Sequence, residues 1–173
     1  MSRQILSFIV KFILLILVQA VIFNNIVLFN TAIPFVFIYI IISMPITWGT
    51  NASMTIAFLA GFIIDVFANT QGVNTLSCTI LAFARKPIFH LYMQHDENLS
   101  GAKPSLQSMG SNEFLKYAVT MTLAYCFMVF TIDAFAVFSF FRYLAHIFGS
   151  AIFTSVLIYA LDTIFTRQHE KRL

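Results

Sequence analysis

Residues 52–68 read ASMTIAFLAGFIIDVFA, an apolar run interrupted by one charge, Asp65. At about 1.5 Å of rise per residue, such a run crosses most of a ~30 Å hydrocarbon layer as an α-helix. The polar cluster Asn69-Thr70-Gln71-Gly72 follows at once and reads as a turn. A helix apolar on nearly every side belongs in a membrane or in the core of a large protein, and this chain is too short and too apolar for the second. This stretch therefore sets the frame for the rest of the chain: membrane spans separated by polar breaks.

The same grammar repeats on both sides. Towards the N-terminus lie runs at 5–23 and 32–46, divided by Asn24 and Asn25 and an apolar stretch to Asn30. Pro34 falls in the first turn of the second run, where proline is tolerated, and Pro45, Trp48 and Gly49 end it. Towards the C-terminus lie runs at 73–92, 114–138 and 143–165, with one long polar loop at 93–113. The run at 73–92 is diluted by Thr75, Ser77 and Thr79. It is expected to stop at Arg85-Lys86-Pro87, with residues 88–93 as an interfacial continuation. The basic start of the first run resembles a signal peptide, but the apolar stretch continues through Phe23 without a small-x-small cleavage site. It is read as a retained span. The expectation is an all-α integral membrane protein: a single domain, 1–173, of six transmembrane helices in one bundle.

Composition agrees. Hydrophobic residues make up 60% of the chain, charged residues 10%, and the mean hydropathy is +0.87. Soluble domains carry about 25% charged residues. Cys78 and Cys126 both fall inside apolar runs and are read as small buried hydrophobes, not as a disulfide or metal site. Charge placement decides the count of spans. With six spans and both termini cytoplasmic, Arg3, Lys11, Arg85, Lys86, Lys103, Lys116, Arg167, Lys171 and Arg172 all lie at the cytoplasmic face, and Arg142 alone lies outside. Arg85 and Lys86 are thus expected to act as topology determinants. Deleting the fourth span breaks this asymmetry.

No motif for catalysis stands out: the loop at 93–113 holds no glycine-rich phosphate cradle, no HExxH and no nucleophile elbow. No cofactor, metal or nucleic-acid partner is expected. Ionisable residues within the spans are the remaining candidates, since each costs about 2.5–3.5 kcal/mol at a helix centre. Asp65 and Asp133 fall in the outer half, with Arg142 at the outer start of the last span and His146 one turn below it on the same face. These four are expected to form an outer-leaflet polar cluster in which Arg142 compensates Asp133, Asp65 or both. Asp162 is read as a surface carboxylate near the inner basic ring. Small residues at four-residue spacing (Ala57 and Gly61; Ala118, Thr122 and Cys126; Ala145 and Gly149 with Ser150 and Thr154) are read first as packing seams, second as partner seams.

The segment 61–74, GFIIDVFANTQGVN, resembles the signature of the rod shape-determining protein MreD family, in its Bacteroidetes-type form. The shared features are Gly61, Asp65 four residues later, and a turn with Gly72 and Asn74 before the next span. The size, the early apolar span, the Asn-Asn break, the proline of span two and the Arg-Lys-Pro after span four fit as well. Gln71 departs from the proline common before the turn glycine. The resemblance implies a non-enzymatic component of the bacterial cell-elongation machinery in the inner membrane. Such a protein associates with MreC, and through it with MreB, RodA and a class B penicillin-binding protein, in lateral peptidoglycan synthesis. It also implies a fold similar to the S components of energy-coupling-factor transporters. A protein with so little mass outside the bilayer acts through helix–helix contact, so docking of the single span of an MreC-like protein is the expected mode.

Two other readings remain. A substrate-binding S component of a vitamin or micronutrient transporter needs a deep polar pocket and an AxxxA docking face, which the first span lacks. A lipid-modifying membrane enzyme needs paired catalytic polar residues at one interface, and apart from the outer cluster none stand out.

Overall fold

The computed structural model describes residues 2–23, 33–93, 103–134 and 140–170, and among these the regular structure is entirely helical. The helices are α1 (Ser2–Val21), α2 (Tyr39–Ile42), α3 (Thr50–Ala68), α4 (Val73–Tyr92), α5 (Leu106–Met109), α6 (Ser111–Ala134) and α7 (Phe140–Glu170), with a 3-10 turn at Val36–Ile38. Among the described residues, three helical stretches are long and apolar enough to cross a membrane: Thr50–Ala68, Ser111–Ile132 and His146–Ile164.

The distribution of side chains identifies the solvent. On α3 the faces separate cleanly: Ala57, Ala60, Gly61, Ile64 and Asp65 are buried, while Phe58, Leu59, Phe62, Val66 and Phe67 face out. On α1, Leu6, Ile9, Val10, Ile13, Leu14, Leu17 and Val21 are exposed while Gln19 is 0% exposed. Buried polar groups include Ser53, Asn74, Ser77, Arg85, Thr122, Ser150, Thr154 and Asp162. Apolar bulk outside and polar atoms inside is the inverse of a water-soluble domain, and a bilayer is the medium in which it is stable.

The small-residue seams lie within the chain. Ala57, Ala118, Thr122, Cys126, Ser150 and Thr154 are all at most 1% exposed. Where α3 meets α4, a Cβ on Gly61 would stand 2.6 Å from the Cα of Thr75 and 2.7 Å from the carbonyl oxygen of Asn74. Backbone there packs on backbone, and only glycine fits.

Two expected spans differ from their sequence reading. The fourth is one uninterrupted helix, Val73–Tyr92, that carries Arg85, Lys86 and Pro87 inside it. The basic pair does not end it because Arg85 turns inward, as described below. The second, expected as a helix over 32–46, is broken. Residues 33–35 carry no helix, the 3-10 turn follows, and α2 lasts four residues. The physical reason is reach. Residues 33–42 span roughly 22 Å in this mixed conformation and only about 15 Å as an α-helix. The segment is buried along its length, from Phe35 at 7% to Phe37, Ile38, Ile41 and Ile42 at 0% exposure. Irregular backbone at membrane depth requires such burial in protein.

The chain runs up and down between two ends. One end holds the α3–α4 turn. The other holds Trp48, which meets Phe8 of α1 edge-on at 5.0 Å, together with α5 and the start of α6.

Candidate functional site

Among the described residues, three polar sites lie inside the apolar bundle, and each satisfies backbone groups that lipid could not. The first is the Gly61–Asn74 turn. α3 ends at Asn69, which adopts the left-handed conformation at φ 54°, and Gly72 at φ 80° precedes α4. A helix N-terminus leaves its first N–H groups without intrahelical partners. Asp65 reaches across the turn and supplies them. Its Oδ1 accepts from the Asn74 N–H at 3.1 Å and its Oδ2 from the Thr75 N–H at 2.7 Å. The hydroxyls of Thr70 and Thr75 donate to the same carboxylate, each at 2.5 Å, and the Asn74 amide donates at 2.9 Å. Asn74 in turn accepts from the Tyr125 hydroxyl of α6 at 2.5 Å. The carboxylate therefore works as a cap for α4 delivered from α3, at the end of the helix dipole that favours negative charge. The four signature positions form one unit. Gly61 permits the close approach, Asp65 caps, Gly72 shapes the turn, and Asn74 ties the turn to α6.

Of the four residues expected in an outer polar cluster, the side chains of Asp65 and His146 are described. Asp65 finds its partners in Thr70, Asn74 and Thr75. His146 packs against Phe130, ring centroids 5.6 Å apart, and its Nδ1 is buried without a hydrogen-bond partner among the described residues. The side chains of Asp133 and Arg142 lie outside the described residues.

The second site holds the broken segment. Gln19 of α1 donates to the Pro34 carbonyl at 2.9 Å and accepts from the Val36 N–H at 2.8 Å. On the other side, the hydroxyls of Ser150 and Thr154 of α7 accept from the N–H groups of Ile33 and Phe35, at 3.0 and 3.1 Å. Arg85, 0% exposed, closes the far end: its guanidinium donates to the carbonyls of Met44 and Pro45 and, at 3.4 Å, to the Ser53 hydroxyl. The sequence reading put Arg85 in a basic ring at the membrane face. The structure turns it into the bundle, because the chain just past α2 exposes carbonyls that only a long multi-donor side chain can reach. Lys86 is partly exposed, as a face residue should be. The Nε of Arg85 and the hydroxyl of buried Tyr117 have no partner among the described residues.

The third site is Asp162 of α7, expected at the surface and found 2% exposed. Its Oδ1 accepts from the Tyr39 hydroxyl and its Oδ2 from the Leu106 N–H, both at 2.8 Å.

Sequence reasoning missed Gln19, Tyr39 and Tyr125. A signal existed for the first: a glutamine in an apolar span needs a partner, and a short run between Pro34 and Pro45 offers unsatisfied backbone. No group of three or more metal-ligating side chains occurs among the described residues. On the outer surface, Thr120, Leu123, Ala124 and Phe127 of α6 and Leu144, Ile147 and Phe148 of α7 line an open apolar groove of about 500 Å³. Comparison with known protein families, with curated proteins and with solved structures gives no match for this chain.

Proposed function

We propose that this protein is a non-enzymatic scaffold of the bacterial cell-elongation machinery, of the MreD type, with six membrane passes and both termini cytoplasmic. On this reading it docks the single span of an MreC-like protein in the inner membrane and, through that partner, helps organise lateral peptidoglycan synthesis. The observation that carries the reading is the state of Asp65. The sharpest charged residue of the resemblance uses both oxygens to cap α4. A signature spent on folding fits a protein whose working part is its shape and its apolar surface.

Other features support the same reading. Lys11, Lys86, Lys103 and Lys116 sit towards the end of the bundle opposite the Asp65 turn, which fits a cytoplasmic basic end. The groove between α6 and α7 is lined in part by Thr120 and Ala124, small residues one turn apart, which suits close approach of a partner helix. Co-purification in mild detergent with a candidate MreC-like protein tests the proposal. Recovery of a stoichiometric complex is expected; a transporter ATPase recovered in its place overturns it.

One observation favours the second reading, a micronutrient-binding transport component. Carriers bind substrates at discontinuous helices near the bilayer midplane, and the segment at 33–46 is discontinuous. Its backbone groups at both ends are already taken by Gln19, Ser150, Thr154 and Arg85. Mass spectrometry of the purified protein decides between the two: a vitamin-sized molecule at one per chain belongs to the carrier reading alone.

A further inference from the structure

We propose that residues 103–110 form a latch over the end of the bundle opposite the Asp65 turn, and that Asp162 couples its closure to the broken segment. The inference stands apart from the scaffold reading and does not depend on it.

The latch is a preformed unit. Ser105 caps α5, accepting from the Ser108 N–H at 3.3 Å, while the Ser108 hydroxyl accepts from the Ser105 N–H at 3.1 Å. The Ser108 hydroxyl also donates to the Lys103 carbonyl at 2.5 Å, which folds the entry to α5 onto its first turn. At the other end Gly110 takes φ 79° and ψ 159°, a geometry essentially closed to residues with a Cβ, and α6 begins at the next residue. Open space surrounds Gly110: a Cβ built there meets nothing within 4 Å. The latch is thus a short capped turn on a glycine joint.

What holds it down is specific. Met109 is 7% exposed and belongs to the core, with Leu106 packed against it. The Leu106 N–H, one of the donors a helix start leaves open, goes to Asp162 Oδ2 at 2.8 Å. The other oxygen of that carboxylate holds Tyr39, the first residue of α2. One buried carboxylate on a long helix therefore bonds two elements far apart in sequence. Lys11 of α1 lies within electrostatic reach of both Asp162 and Lys103 and supplies positive charge at the same end. Lifting the latch exposes Asp162 and takes the Leu106 N–H away from it. The remaining bond to Tyr39 then lies in a wetter, higher-dielectric setting, where hydrogen bonds hold less strongly. In this way an event at the loop is felt by the broken segment, and the reverse.

The experiment uses the full chain in nanodiscs. Cys78 and Cys126 are both 0% exposed and serve as internal reporters of folding. Maleimide labelling of a Met109→Cys variant reads latch opening. Labelling is expected to be at least about tenfold slower than for a free thiol. Leu106→Pro removes two of the holds at once, the N–H donor and the leucine packing, at a helix position where proline is tolerated and without touching Asp162. It is expected to accelerate labelling several-fold. Tyr39→Phe removes one hydroxyl on the far side of Asp162 and is expected to accelerate it too. A free-thiol rate in the Met109→Cys protein overturns the latch. An unchanged rate with Tyr39→Phe, while Cys78 and Cys126 stay unlabelled, overturns the coupling.

Discussion

Asp65 shows how a charge is kept inside an apolar bundle. It accepts two backbone N–H groups, two hydroxyls and one amide, all from residues within its own turn. Removing such an acceptor strands several buried donors, each costing about 1–3 kcal/mol. Asp65→Ala is expected to destabilise the protein by about 2–4 kcal/mol, Asp65→Asn by less because one oxygen remains. Thermal unfolding in detergent measures both; equal stability of all three proteins refutes the capping role. Gly61→Ala tests the neighbouring contact. The new methyl meets Thr75 and Asn74 backbone, which cannot rotate away, so a loss of about 1–3 kcal/mol is expected. The sequence marked both positions through their spacing. It could not show their duty, because the partners of Asp65 depend on the turn being closed.

At the scale of elements, the broken segment is the least regular part of the described structure and among the most thoroughly bonded. Two helices and one arginine complete what its own backbone cannot. Arg85→Met keeps the packing volume and removes the donors to Met44 and Pro45, and is expected to lower the midpoint of thermal unfolding by several degrees. Arg85→Lys is expected to recover only part, since an ammonium lacks the fork that reaches two carbonyls at once. A Lys variant as stable as the native protein contradicts this account. Much at this scale was legible in the sequence. The uniform apolarity of residues 52–68 and 143–165 marked helices that need no partner to be recognised. The run at 32–46 misled because hydropathy measures burial and is silent on backbone conformation. Arg85 misled because a basic residue near a proline resembles a helix end, and its destination is a carbonyl pair some 40 residues away in sequence. Asp162 misled for the same reason, its donors lying at sequence separations of 123 and 56.

At the scale of the whole molecule, the described polar residues serve the interior and the apolar exterior is left for lipid. On the proposed function, the outer surface does the work and the Asp65 turn only shapes it. Binding of a single-span MreC-like peptide, measured by fluorescence in nanodiscs, tests this most directly when three proteins are compared. The native chain and Asp65→Asn, assayed where both are folded, are expected to bind alike. Ala124→Trp, which fills the groove between α6 and α7, is expected to bind at least about tenfold more weakly at unchanged thermal stability. Native-like binding by Ala124→Trp, together with loss of binding in folded Asp65→Asn, would contradict the account and return the charged turn to the centre of function.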